Sequence, residues 1–321
     1  MKIFVPPIKC QGIKTKLVSW IKENLSEMKY SRWIEPFMGS GVVGFNVRPQ
    51  NAVFSDINPH LINFYNAIKE EKITSSIAKS FLETEGTKLS KHGQDYYNEV
   101  RERFNKNFEP KDFLFLNRSC FNGMIRFNSK GKFNVPYGHK PERFAKAYIT
   151  KIINQIDYIS KSVKIFNWEF VCQDFRKTLN NIENTDLIYC DPPYYGRHVD
   201  YFDSWNEKDE KDLFDILNII KGKYILSTWH SNKYRNNNEL EKYTDNNILT
   251  KEHFYHLGAT ENNRNAMTEA LILNYSPINN DKIIYTQFYG QQLQLLEPKV
   301  KYSSDFSQDS HQISQENLNN S

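Results

Sequence analysis

Residues 33–69 restrict the fold more than any other part of the chain. A short apolar run at 33–37 ends in the turn Met38-Gly39-Ser40-Gly41, and a helix-like pattern follows from Val42. Residues 52–55 read as a second strand, closed by Asp56. From 59 to 69, Leu61, Ile62, Phe64, Tyr65 and Ile68 fall mostly on one helical face, with Asn58 fit to cap the helix and Pro59 at its first position. Strand, glycine turn, helix, strand, helix is the opening of a doubly wound, mostly parallel α/β sheet. Such sheets place their chemistry at the carboxyl ends of the strands. The turn after the first strand and Asp56 after the second are therefore candidate binding positions.

The alternation breaks after Glu70. Residues 70–160 are helical in places and basic, with a glycine-containing hairpin signal at their centre. Strand-like runs resume at 163–171, 186–190, 224–228 and 271–275. The simplest organisation is one α/β domain, residues 1–69 and 161–300, interrupted by an insertion at 70–160. Residues 301–321 are rich in Ser, Gln and Asn and poor in apolar side chains, so a disordered tail is expected there.

The formal charge of the chain is only +4, but it is unevenly spread. Between Arg101 and Lys151 there are 12 Lys and Arg against 4 Asp and Glu, a local charge of +8. Phe121, Phe127, Phe133 and Tyr137 interleave with these cations, and rings can stack on bases or wedge between them. The segment thus suits a face that meets an anionic polymer, with a solvated lysine-rich surface as the alternative on charge alone. No apolar run approaches the roughly 18 residues of a membrane span. The first residues lack the basic patch and apolar stretch of a secretion signal. The four cysteines contain no C-x-x-C pair, so neither a disulfide framework nor a structural zinc site is expected. Reduced thiols in a cytoplasm are the simple reading, and no metal is expected.

Glycines in Phe37-Met-Gly-Ser-Gly41 allow close approach of the backbone to a ligand, and the helix that follows offers free N–H groups. No Gly-Lys-Ser/Thr follows, so this is not a phosphate loop. Asp56 is placed to accept hydrogen bonds from two ribose hydroxyls. The most specific signal is Asp191-Pro-Pro-Tyr194, directly after the apolar run Leu187-Ile-Tyr-Cys190. Two prolines stiffen the backbone and remove two N–H donors. What remains is a carboxylate, a row of carbonyl oxygens and an aromatic face. That set fits a planar base with an exocyclic amine: Asp191 and the Pro192 carbonyl can accept its two hydrogens while Tyr194 stacks on the ring.

These motifs, in this order, resemble the DNA adenine-N6 methyltransferases of the Dam-like group (D12 class). Pro6-Pro-Ile-Lys9, with Gly12 and Lys14, is similar to that family's N-terminal cofactor motif. Phe37-Met-Gly-Ser-Gly41 is similar to its glycine motif, Asp56-Ile-Asn-Pro-His-Leu-Ile62 with Tyr65 to its ribose-binding motif, and Asp174-Phe175 to the pair that holds the cofactor adenine. Asp191-Pro-Pro-Tyr194 looks like its catalytic motif, and residues 116–138 resemble its DNA-reading hairpin. The resemblance spans about residues 6–275.

It implies a Rossmann-like methyltransferase fold with an inserted helical and hairpin target-recognition domain. It also implies S-adenosyl-L-methionine as cofactor and methyl transfer to N6 of an adenine flipped out of double-stranded DNA. Asp191, Pro192, Pro193 and Tyr194 become the catalytic residues. Cys10, Lys14, Phe37, Gly39, Gly41, Asp56, Asp174, Phe175 and Asp191 become cofactor contacts. Arg118, Asn122, Arg126, Asn128, Lys130, Lys132, Asn134 and Arg197 become DNA contacts. A cognate restriction endonuclease acting on the same site is a further expected partner, and a monomer is expected.

Two positions depart from the family: Cys10 stands where it usually has Trp, and Ile13 where it has a second Gly. A large flat face is replaced by a small polarizable one, which bears on cofactor affinity. Residues 196–201, with Arg197, His198 and Tyr201, read either as a loop that closes on the flipped base or as an ordinary polar loop. Trp229, at the end of the run at 224–228, fits either the site or the core. Three other functions share these features. A cytosine-N4 enzyme usually has Ser before Pro-Pro-Tyr, an RNA enzyme would not need the hairpin, and a catalytically dead DNA-binding module would have lost cofactor binding.

Overall fold

A computed structural model of the chain describes residues 2–25, 28–194, 205–232, 235–254 and 266–277. Its centre is a sheet in which β1 (Arg32–Glu35), β2 (Asn51–Asp56), β3 (Asn167–Cys172), β4 (Asp186–Cys190) and β5 (Lys223–Asn232) run parallel. With β7 (Asn247–Phe254) and β8 (Ala266–Leu273) the order is β3-β2-β1-β4-β5-β8-β7, the last two antiparallel additions, and a short β6 (Arg235–Asn236) pairs with β5. Strand order reverses between β1 and β4, so a crevice opens at their carboxyl ends.

Side chains alternate along each strand, and the core divides accordingly. Trp33, Leu187, Tyr189 and Ile225 belong to one apolar cluster, while Ile34, Ile188, Cys190, Tyr224 and Leu226 belong to the other. The first cluster packs under α1 (Val18–Glu23), α2 (Val42–Val47) and α3 (Pro59–Lys69), the second under α7 (Phe175–Leu179) and α8 (Glu207–Ile219). All five β4 residues are buried, as a central parallel strand covered on both faces requires. Asn58 does cap α3, its side chain accepting from the amides of His60 and Leu61. Asp56 is thereby left for other work.

Helices make up most of residues 75–165: α4 (Ser75–Asn107), kinked at Gly93 where φ is +53°, α5 (Pro110–Ser119) and α6 (Lys146–Ile165). They share the first apolar cluster with the sheet, through Leu82, Phe104, Phe113, Leu116, Ile152 and Ile156 among others. Each fully buried aliphatic side chain contributes roughly 1.5–3 kcal/mol. The helices are therefore fastened to the sheet by a common core.

Several expectations are corrected. Residues 163–171 are not one strand: α6 continues to Ile165 and β3 starts at Asn167, because the helical face Ile149, Ile152, Ile156, Ile159 runs on to Ser162. Among the described residues the last strand is Ala266–Leu273 rather than 271–275, and β7 was not foreseen. The hairpin at 120–137 forms only the bridges Cys120↔Tyr137 and Phe127↔Phe133. Its interleaved rings also point inward: Phe127, Phe133 and Tyr137 are buried, leaving Phe121 exposed at 50%. Those three bury their faces against the helices and are not available for stacking on bases. The tail at 301–321 and the loop with Arg197, His198 and Tyr201 lie outside the described residues. Among the described residues no helix is long and apolar enough to cross a membrane, and no group of three or more His, Cys, Asp or Glu is arranged to hold a metal ion.

Candidate active site

The glycine turn and Asp56 form one unit. Asp56 Oδ2 accepts from the Gly39 amide at 2.9 Å, and Oδ1 accepts from the Asn58 amide at 2.9 Å. Met38 N donates to Ser55 O at 2.8 Å, which ties the turn to the end of β2. Gly39 and Gly41 have φ of +48° and +74°, where side chains are strained. A Cβ at Gly39 would meet nothing within 4 Å, so the turn faces open space, whereas at Gly41 it would strike the Phe45 ring at 2.6 Å. Burial raises the Asp56 carboxyl above its ordinary range, opposed by the amides of Asn58, Gly39 and Ile57. A carboxylate oxygen accepts more than one hydrogen bond, so Asp56 keeps capacity for a diol.

At the end of β4 stands Asp191, and its partner is Lys14. Lys14 Nζ lies 2.9 Å from Asp191 Oδ1 and 4.9 Å from the centre of the Tyr194 ring, and it donates to Gly12 O at 3.3 Å. Lys14 is only 4% exposed, so the N-terminal motif supplies a buried cation and not a surface one. Burial alone would lower its pKa, but Asp191 first, then Tyr194 and Glu269, hold it well above normal. Burial raises Asp191 and Lys14 pulls it back down. Beside the motif lies a cavity of about 250 Å³ lined by Pro192, Pro193, Tyr194, Thr228, Trp229 and Arg235, among others. Trp229, 6% exposed, thus serves both as wall and as core. Tyr194 Oη donates to Glu269 Oε2 at 2.7 Å.

Glu35, the last residue of β1, drew no attention in the sequence. It is 2% exposed and accepts from Trp33 Nε1 at 2.9 Å. Burial pushes its carboxyl up to about 8 despite that bond, with Asp191 and Asp56 adding to the rise.

Asp174 and Phe175, expected at the cofactor adenine, are held from the side. Asp174 caps α7 by accepting from Arg176 N at 2.8 Å and pairs with Arg176 Nη1 at 2.9 Å. Arg176 also binds Asp209 and Asp212 of α8, at 2.6 and 2.7 Å. Phe175 packs 5.2 Å from Phe37, and Trp205 lies 5.5 Å from each. Cys10 is half-buried and close enough to Asp56 for that charge, after burial, to push its thiol up. Ile13 packs against the core.

Residues 11–257 match the family model described as D12 class N6 adenine-specific DNA methyltransferase. The chain belongs to that family. It is 29% identical over 288 residues to the type II methyltransferase M1.LlaDCHI of Lactococcus lactis subsp. cremoris, covering 84% of this chain and 95% of that one. To the DNA adenine methylase of Haemophilus influenzae it is 35% identical over 196 residues, covering 59% and 63%. To the type II methyltransferase M.FokI of Planomicrobium okeanokoites it is 28% identical over 281 residues, covering 84% and 43%. The chain therefore spans less than half of M.FokI and under two thirds of the Haemophilus protein. A methyltransferase of this family implies a methyl donor and a DNA substrate.

In this D12 chain the N-terminal motif and the hairpin are tied together. Asn117 of α5 accepts from Lys9 N at 2.9 Å and donates to Lys9 O at 2.9 Å and Gly123 O at 3.2 Å. Of the residues expected to contact DNA, Asn122, Asn128, Lys130 and Lys132 are exposed. Asn128 spends Oδ1 on the amides of Lys130 and Lys132, shaping the tip of the turn. Arg126 Nε donates to Asn134 Oδ1 at 2.9 Å, so these two hold each other. Arg118 is 8% exposed, and its Nε has no hydrogen-bond partner among the described residues. Burial, then Arg143, lowers it to about 10; Lys9 falls to about 8 by burial, then Arg118 and Arg143. Three cations gathered in this way suit an approaching anion. His60 of α3 stacks on Phe108, which ends α4, and on Phe127 of the hairpin, at 5.0 and 4.8 Å.

Proposed function

We propose that the chain methylates N6 of an adenine flipped out of double-stranded DNA at a specific site, with S-adenosyl-L-methionine as donor. The observation that carries this reading is Asp191-Pro192-Pro193-Tyr194 at the carboxyl end of β4, with Lys14 on its carboxylate and a cavity beside it. The open turn at Gly39 and the two-handed anchoring of Asp56 fit the cofactor. Asp56 would take its ribose hydroxyls, Phe37, Asp174 and Phe175 its adenine, and Gly41, Cys10 and Lys14 would flank it. When bound, it supplies an electrophilic sulfonium methyl group.

The chain's own part is orientation and electrostatics. A stacked adenine cannot reach the pocket, and flipping it costs a few kcal/mol. Its N6 lone pair is delocalised into the ring. The Asp191 carboxylate and Pro192 carbonyl accept the two N6 hydrogens and favour a more tetrahedral, more nucleophilic nitrogen. Because these acceptors stand in place before charge develops, they act by preorganisation. Tyr194 offers its ring for stacking. Residues 70–160 serve target recognition, with Arg118, Asn122, Arg126, Asn128, Lys130, Lys132 and Asn134 toward the duplex and Arg197 following the catalytic motif. A monomer is the expected working form. A DNA substrate sets the work in a cytoplasm, and a restriction endonuclease sharing the target sequence is the expected partner.

The test is modification-sensitive sequencing of DNA from a methylation-deficient host expressing the chain. N6-methyladenine in one short motif is expected. Soluble protein with no mark would overturn the reading. Asp191→Ala should abolish the mark while leaving duplex binding nearly intact.

A further inference from the structure

β8 is an apolar strand with an acid inside it. The run Glu269-Ala-Leu-Ile-Leu273 is wholly buried, Glu269 at 0% exposure included. Leu271 and Leu273, on the same face by strand alternation, fill the core; a carboxylate there loses its hydration and needs partners. The register sets Glu269 between Trp229 of β5 and Lys251 of β7. Pairing of β5 with β8 slips between Trp229 and Ser231, next to that position. Such irregularities re-aim side chains and gather beside active sites. Here the carboxylate reaches the catalytic motif, where Tyr194 Oη donates to Oε2 at 2.7 Å.

We infer that Glu269 is a positioning residue for methyl transfer, a buried acceptor that fixes the Tyr194 ring for the target base. The inference rests on the adenine reading above. Tyr194 is restrained at both ends: Pro192 and Pro193 stiffen the backbone before it, and Glu269 holds the hydroxyl. A ring so held has little side-chain freedom left to lose when a base arrives. At 2.7 Å it is an O–H···O bond of ordinary good length, made away from water. Lys14 sits 4.9 Å over the ring and 2.9 Å from Asp191, so ring and catalytic carboxylate are set relative to each other through one cation. Tyr194 and Trp229 both line the cavity, and β8 braces both, one by the carboxylate and one by strand pairing. Apolar packing explains none of this, since leucine would serve it better.

The experiment is single-turnover methylation by the full chain, using labelled S-adenosylmethionine and a duplex carrying the site mapped by sequencing. Cofactor and duplex titrations run beside it. Glu269→Ala should slow the transfer about tenfold, the loss expected when one buried hydrogen bond is removed, with both affinities within about twofold. Glu269→Gln keeps a carbonyl acceptor and should recover most of the rate. In a Tyr194→Phe background the identity of residue 269 should cease to matter. An equal slowing by Glu269→Ala with and without the Tyr194 hydroxyl would overturn the inference. If Glu269→Ala does not fold, Tyr194→Phe and Glu269→Gln carry the test, and full activity in Tyr194→Phe overturns it. Wild-type protein that methylates no duplex would refute the adenine reading and the inference with it. Active wild type with equally active Glu269 variants would refute the inference alone.

Discussion

Lys14 and Asp191 meet as a buried cation and a carboxylate 2.9 Å apart, joining the N-terminal motif to the end of β4. Lys14 is the cation that favours the ionised form of this half-buried acid beside Glu269 and Glu35. Burial and Glu269 both raise the Asp191 pKa, and Lys14 is the opposing influence.

Replacing Lys14 with Met should therefore make activity more sensitive to acid. Without the cation only the raising influences remain, so Asp191 titrates at higher pH and its acceptor form is lost sooner as pH falls. The loss of single-turnover rate should be larger at about pH 6 than at about pH 8.5. An acid limb that does not move would show that Asp191 does not depend on Lys14. Removing one partner of a buried pair should also cost about 3–5 kcal/mol of stability, discounted here because Asp191 is 21% exposed.

Asp56→Ala should weaken both the cofactor site and the fold. The amides of Gly39 and Asn58 lose their acceptor, at roughly 1–3 kcal/mol for each left buried. Titration calorimetry should show at least about tenfold weaker S-adenosylmethionine binding, and Asp56→Asn a smaller loss because it keeps one acceptor oxygen. A lowered melting temperature with unchanged affinity would confine Asp56 to shaping the turn.

How much of this was legible in the sequence depends on range. The glycine turn, the Asn58 cap and β4 are local patterns and stand where the sequence puts them. Asp191-Pro-Pro-Tyr194 was found because strand and motif are contiguous. Glu269 and Glu35 were not found: each looks like one polar residue in or beside an apolar strand, and only sheet pairing shows what it faces. The hairpin aromatics misled for a related reason. Alternation with lysine reads as a charged, ring-bearing surface, while the helices that cover Phe127, Phe133 and Tyr137 come from distant residues. β7 was missed because Thr250, Lys251 and Glu252 dilute its apolar signal.

Glu35 should give stability a pH dependence between about 4.5 and 8. Its folded pKa of about 8 lies above the ordinary glutamic acid value of 4.5. Its protonated form is favoured in the fold, so its contribution is complete below the unfolded value. It is lost as the unfolded chain ionises and pH rises toward the folded value. The full change is on the order of 5 kcal/mol. Glu35→Gln cannot ionise and should flatten this decline in chemical denaturation at a series of pH values. An unchanged slope would mean that Glu35 is ionised in the fold.

The hairpin predicts a salt effect that separates anchoring from shaping. Lys130 and Lys132 are exposed at its tip, whereas Arg126 and Asn134 are bonded to each other and Asn128 to the turn amides. A lysine that meets a phosphate releases counterions, so duplex affinity should fall steeply with salt. Each of Lys130→Ala and Lys132→Ala should reduce the slope of log affinity against log salt by roughly one. Asn128→Ala removes no charge but loosens the turn that presents both lysines. It should weaken binding while leaving the slope nearly unchanged. A flat salt dependence of the wild-type protein would place the DNA face elsewhere. A slope that survives both lysine changes would assign the phosphate contacts to the inner cations Lys9, Arg118 and Arg143.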